Sequence, residues 1–348
     1  AMNKLNLVSL KGTLAQCGED YGEQFEPLMM GFCKQELKPD RRKLAYARRC
    51  WPAIQASAPK SAQFIQGLAR GAHLSLEHVI LLSVHEEVYH QQHCTAFAAC
   101  QAATKSGRTI IGQNWDWSPA LYPWAGLVRI AARGEPAVAA YHYPGLWCSA
   151  GVNAEGLALV WTGAGYRPAV QPKVGVPTYV LIAEILRRKN VPEALAWLSR
   201  VNLAGAFIFF LGDAAGNIAV AEGMPGKLVI DQSKDVLTRG NHYACPAIIR
   251  ASKQPNKDPL LSADKCERDQ RMHRLLIKHR GKITLDLGKS FLLDRTGNKQ
   301  WLHQYPHGPL GHELGGLTID SILVECESRK LWTCRGGRVP GPWQCVTA

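Results

Sequence analysis

Apolar residues recur at three- and four-residue spacing through 20–33, 41–57, 61–72 and 75–90, so the first 93 residues predict a series of helices. Ser75, ahead of Leu76-Glu77-His78, supplies an N-cap for the helix that leads toward Cys94. From Cys94 the texture changes to short apolar runs punctuated by Gly, Asn and Asp. Cys94 to Phe97 and Thr109 to Asp116 read as strands turned over Ser106-Gly107. Runs 128–132 and 137–143 flank Arg133-Gly134-Glu135-Pro136, runs 148–152 and 157–162 flank Asn153-Ala154-Glu155-Gly156, and runs 207–211 and 218–222 flank Asp213 to Asn217. These turn residues predict hairpins, hence antiparallel sheet. Helices return at 177–188, at 192–200 with Pro192 in the first turn, and at 264–279. A last strand, 318–325, meets a charged turn and pairs back through 331–334. Strand runs with helices between them predict an α+β fold of antiparallel layers under helices. The helical segment 1–93 and the β-rich segment 94–348 are expected to form one globular unit.

Apolar residues make up 46% of the 348, enough for a substantial core. The most apolar run, 206–211, is strand length, whereas a membrane helix needs roughly 18–20 residues. Ala1 reads as a cloning remnant ahead of Met2, and 3–11 is too short and polar for a secretory leader. The 11 cysteines contain no Cys-x-x-Cys and are odd in number, which points to a reduced, cytoplasmic protein rather than a disulfide scaffold. His85 and His90 lie five apart, roughly 140° around a helix, so they do not share a zinc-binding face. No metal is expected. The net charge of +13 is uneven: 1–93 carries +2 and 94–348 carries +11. Its densest part, 265–282, is either a solvated helix face opposite Met272, Leu275 and Leu276 or an anion- or nucleic-acid-binding surface.

Candidate chemistry centres on Cys94. A thiol at a strand start, with Asn114 and Asp116 returned beside it by a hairpin, has the makings of a nucleophile and its support. Cys100 is the rival thiol, six residues on and on the same face of a regular strand. Asn241, in Thr238-Arg239-Gly240-Asn241-His242, offers a side-chain amide for an oxyanion or simply closes a turn; Asn114 and Asp116 carry the same alternative.

The ordered set of Cys94-Thr95, Gly112-Gln113-Asn114-Trp115-Asp116, the 151–156 hairpin, Asn241-His242 and the 318–321 strand resembles the penicillin acyltransferase family (acyl-CoA:6-aminopenicillanate acyltransferases) of N-terminal-nucleophile (Ntn) hydrolases. The resemblance implies a four-layer αββα sandwich and self-cleavage between His93 and Cys94, giving associated fragments of an inactive precursor. His93 departs from the glycine that relatives often carry there. Cleavage would free an α-amine of pKa about 7.7–8.0 as base on the nucleophile's own residue. The resemblance further implies that Asp116 orients the nucleophile, that Asn241 supplies the oxyanion hole and that no cofactor is needed. Arg268 is the candidate for a substrate-side arginine, while Asn114, Trp115, Trp117 and Trp161 are candidates to line the substrate site. The substrate would be a small N-acyl compound, with an amine acceptor or an acyl-CoA as partner. A ceramidase-like or bile-salt-hydrolase-like lipid amidase is the alternative.

Overall fold

The computed structural model describes residues 4–88, 94–164, 170–252, 259–296, 301–305 and 317–348, with 259–266 as backbone alone. Two sheets face each other. The larger has eight strands: β1 (Leu7–Gly12), β4 (Gly126–Ala132), β5 (Val138–Tyr143), β6 (Leu146–Asn153), β7 (Ala158–Gly163), β8 (Phe207–Gly212), β9 (Ile218–Met224) and β10 (Lys227–Ser233), in that spatial order. The smaller has six: β11 (Val236–Arg239), β2 (Thr95–Ala99), β3 (Ile110–Trp117), β12 (Leu317–Glu325), β13 (Lys330–Arg335) and β14 (Trp343–Thr347). All ladders are antiparallel except β1 with β4.

The three hairpins expected around Gly134, Gly156 and Gly216 are present, and each of these glycines has a positive φ of 76° to 90°. Asn153 Oδ1 accepts from the amides of Glu155 and Leu157, both at 3.0 Å, which fixes its turn from within. The return of β13 onto β12 is likewise as expected. Strands β1, β10 and β14 escape the hydrophobic pattern. They are edge strands with faces toward solvent, where apolar residues such as Leu7 and Ile230 are exposed and blur the alternation.

Helices α1 (Leu14–Phe32), α2 (Arg41–Ser57), α3 (Pro59–Gly71), α4 (Leu76–Ser83), α5 (His85–Val88), α6 (Thr178–Ile185), α7 (Val191–Leu198), α8 (Pro246–Ser252), α9 (Pro259–Lys278) and α10 (Leu285–Leu292) complete the fold. α1 and α6 pack on the eight-stranded sheet, whereas α9 and α10 cover the outer face of the six-stranded one. The result is the expected αββα sandwich. α1 begins earlier than its apolar period suggests because Thr13 and Gln16 form a capping box. The 75–90 run starts at the Ser75 cap but breaks at Val84 into α4 and α5, and His90 lies outside the described residues.

α1 and α3 cross unusually closely. A Cβ on Gly67 would sit 2.0 Å from the Ala15 carbonyl oxygen, and one on Gly18 would sit 2.1 Å from that of Phe64. The N-terminal segment also donates β1 to the larger sheet, so 1–93 and 94–348 share one sheet and one core.

Candidate active site

Cys94 stands immediately before β2 and is fully buried. In the β2–β3 ladder Thr95 opposes Asn114, so Thr95, Asn114 and Asp116 point toward α9 and α10. Continuing the register by one residue sets Cys94 beside Trp115 on the opposite, inter-sheet face. The outward face carries a dense polar cluster. Arg268 reaches in from α9 with its side chain 1% exposed, and its Nη1 donates to Thr95 Oγ1 at 2.8 Å and to Asp116 Oδ2 at 3.1 Å. Its Nη2 donates to Asn241 Oδ1 at 3.1 Å. Thr318 Oγ1, on β12, donates to the other Asp116 oxygen at 2.5 Å. Asn241 Nδ2 donates to the Gly163 carbonyl at 2.9 Å, which with Arg268 fixes both ends of its amide. One guanidinium therefore ties together the strand that begins at Cys94, the Asp116 strand and the Asn241 loop.

The electrostatics follow from burial. Desolvation pushes the Cys94 thiol up to about 12; the Asp116 and Glu86 charges add to the rise, while a hydrogen bond with the Asp116 backbone and the Arg268 charge oppose it. Burial also lifts Asp116 to about 7, against the pull of Arg268 and Thr318. The Arg268 guanidinium is lowered by desolvation, with Asp116 working the other way. A thiol in this setting stays protonated near neutral pH and needs a base to become a nucleophile.

The sequence matches a family described as acyl-coenzyme A:6-aminopenicillanic acid acyl-transferase over residues 102–338. That span is about two thirds of the chain and contains Asp116, Asn241, Arg268 and Thr318. The chain belongs to this family.

It is thus a member of an acyl-transferring enzyme family with the Ntn-hydrolase fold. The matched span begins downstream of Cys94, so it does not include that residue. Among solved structures, two variants of conjugated bile acid hydrolase from Clostridium perfringens are similar in fold. Each is 14% identical; the TM-scores are 0.53 and 0.51, covering 73% and 72% of this chain and 92% of each of those. The Caenorhabditis elegans ortholog of N-acylethanolamine-hydrolyzing acid amidase aligns at TM-score 0.46 and 14% identity, over 67% of this chain and 93% of its own. No curated protein matches the chain.

The remaining sequence candidates separate cleanly. Cys100 lies beyond the far end of β2, roughly 20 Å along the strand from Cys94, and its thiol donates to the Lys234 carbonyl at 2.8 Å. Asn114 was a candidate to line the substrate site, but its amide donates to the Leu292 and Leu302 carbonyls at 2.8 and 2.7 Å and accepts from Ser321 at 2.7 Å. It holds β3 to α10 and β12 instead, because side-chain alternation turns it toward the helices. Trp115, Trp117 and Trp161 do come together on the inter-sheet face: Trp115 and Trp117 stack at 5.9 Å, and Trp161 meets Trp115 edge-on at 5.5 Å. His93 lies outside the described residues.

Charge on the basic stretch is partly taken up inside the fold. Arg268 is buried and Arg271 pairs with Asp294 at 2.7 Å, while the Arg280 pair with Asp235 at 3.0 Å lies at the surface; Met272 and Leu276 are buried beneath. Sequence reasoning missed Thr95 and Thr318 as partners of this site. Both were legible only as members of the ordered motif set, with no part in the site attached to either hydroxyl. No helix among the described residues is long and apolar enough to cross a membrane.

Proposed function

We propose that the chain cuts itself between His93 and Cys94, and that the freed Cys94 then takes the acyl group of a small N-acyl amide or thioester and passes it to an amine or to water. What carries this reading is the convergence of Thr95, Asp116 and Asn241 on one buried guanidinium beside a buried thiol. With its own amide intact, Cys94 has a thiol near 12 and no amine to deprotonate it. Cleavage supplies an α-amine of pKa about 7.7–8.0 on the same residue, in position to accept the thiol proton. Asp116 and Arg268 hold the strand start, and Asn241 presents the amide hydrogen not used by Gly163 to the developing oxyanion. Trp115, Trp117 and Trp161 line the acyl side. The segments 1–93 and 94–348 stay together after cleavage because β1 is a strand of the larger sheet.

Denaturing mass spectrometry tests the first step. Two fragments are expected, the larger starting at Cys94, with Cys94→Ala uncut and Cys100→Ala cut normally; an intact, active chain refutes the mechanism. A lipid-like amide is the second reading, favoured by the cluster of aromatic rings around Trp115. Turnover of long-chain N-acyl amines in preference to short ones would select it.

A further inference from the structure

The outward face of β2, β3 and β12 holds the cluster described above; the inward face holds a second one. In the β3–β12 ladder Thr318 opposes Asp116, but the next matched pair is Asp320 with Trp115, because a bulge intervenes at Ile319. Without it, residues 318 and 320 would share the outward face. The bulge turns Asp320 inward, a re-aiming that bulges perform beside functional sites. β13 then sets Arg335 opposite Asp320. Cys94, Trp115, Asp320 and Arg335 consequently form one row across four neighbouring strands, all on the inter-sheet face. At about 4.8 Å per strand, Asp320 lies roughly 10 Å from Cys94.

Across the gap, β5 lowers two tyrosines onto this row. Tyr141 and Tyr143 pack against Trp115 with ring centroids 5.9 and 5.8 Å away. Tyr141 Oη donates to Asp320 Oδ2 at 2.6 Å, and the two phenol oxygens are 3.1 Å apart. Since the Tyr141 hydrogen goes to the carboxylate, the Tyr143 hydrogen goes to Tyr141, leaving the Tyr143 oxygen as an acceptor. Arg335 Nε stands 3.4 Å from Asp320 Oδ1, with its guanidinium 3.7 Å over the Tyr122 ring, and keeps the carboxylate oriented. All four polar residues are buried. Tyr143 feels the charges of both Asp320 and Cys94, so the chain of phenols spans from the carboxylate toward the thiol.

Building on Cys94 as the nucleophile, we infer that Tyr143, Tyr141 and Asp320 form a proton relay serving the acyl acceptor in the second half of the reaction. When an amine or water attacks the acyl-Cys94 carbonyl, the new C–N or C–O bond forms and the C–S bond breaks, the sulfur leaving with the electron pair. The acceptor's proton passes to Tyr143 Oη as the Tyr143 proton passes to Tyr141 and the Tyr141 proton to Asp320. Asp320 ends protonated and Cys94 ends as thiolate, and the proton returns before the next acylation. Burial already lifts the Asp320 carboxyl to about 7, the range in which it can both take and release a proton near neutrality. Tyr143 is the catalytic residue of the relay; Tyr141 and Asp320 act through it.

The test uses the cleaved full-length protein with p-nitrophenyl esters of straight-chain acids from acetate to dodecanoate, with and without glycinamide. The p-nitrophenol burst reads acylation of Cys94, and the steady-state rate with the amide yield reads the acceptor step. In Asp320→Asn, which keeps an acceptor for Tyr141, and in Tyr143→Phe, the acceptor step should fall about 10²-fold more than the burst rate. Acyl-enzyme should then accumulate on the fragment that begins at Cys94, and glycinamide should no longer speed turnover. Equal losses in both steps, or no loss in either, overturn the relay and leave the network structural. If neither the unmutated protein nor the variants turn over any ester or carry an acyl group on the fragment that begins at Cys94, the reading of Cys94 itself fails, which is a different result.

Discussion

Replacing Arg268 with methionine removes a guanidinium that three buried acceptors share: Thr95 Oγ1 at 2.8 Å, Asp116 Oδ2 at 3.1 Å and Asn241 Oδ1 at 3.1 Å. Methionine keeps the volume of the stem and removes the charge. Breaking one side of a buried ion pair typically destabilises by about 3–5 kcal/mol, because the other charge is left desolvated. Asp116 is fully buried and retains only the Thr318 hydroxyl among these partners, so this protein should fall within that range. At about 2 °C per kcal/mol for a large domain, the melting temperature should drop by about 6–10 °C. Combining Arg268→Met with Asp116→Asn removes both charges and should recover most of that loss. Activity should not recover, since Thr95 and Asn241 Oδ1 lose the guanidinium that joined them and the strand start is no longer fixed. Circular-dichroism melts on the single and double variants, with the p-nitrophenyl ester burst measured alongside, decide the matter. A single variant that melts within 2 °C of the parent would mean that the pair is not desolvated as described. A double variant that regains the burst along with its stability would mean that the cluster holds the fold and does not act on the nucleophile.

In the proposed oxyanion role of Asn241, Asn241→Ala should lower kcat by roughly 10²–10³ with a smaller change in KM, because such an amide meets charge that develops only in the transition state. A change confined to KM would place the oxyanion hole elsewhere. Gly67→Ala inserts a methyl group 2.0 Å from the Ala15 carbonyl oxygen and should cost several kcal/mol by forcing α1 and α3 apart; an unchanged melting temperature would refute the close crossing. Stability should peak near pH 6.5. Burial lowers His85 to about 3, His142 to about 4 and His303 to about 3, so the unfolded chain takes their protons first and their contribution is lost as pH falls below 6.5. Burial raises Asp116 and Asp320 to about 7, so their contribution is present at low pH and is lost as pH rises through 7. Between about pH 4.5 and 6 the three histidines outweigh the two carboxyls by one proton, and stability should climb by about 1.4 kcal/mol per pH unit in urea melts. A stability that declines across that window would contradict the burial assigned to the histidines.

Features written in short stretches of chain were legible in the sequence alone. The hairpins at 133–136, 153–156 and 213–217 follow from turn residues between alternating runs, and the helices from a period of three to four. Both are local rules, so they survive without knowledge of partners. Cys94, Asp116 and Asn241 could be nominated because their neighbours form ordered motifs. Only the tertiary structure decided how these residues meet. Arg268 sits on a helix 152 residues beyond Asp116 and was one arginine among many in a basic stretch until packing buried it. Asn114 and Asp116, two apart on the same strand face, take different roles because α10 lies over one and α9 over the other. The bulge at Ile319 leaves no mark in the pattern of 317–325, which is buried on both faces throughout. Register and face in such a strand are set by the strands and helices on either side, and alternation within the segment carries no information about them.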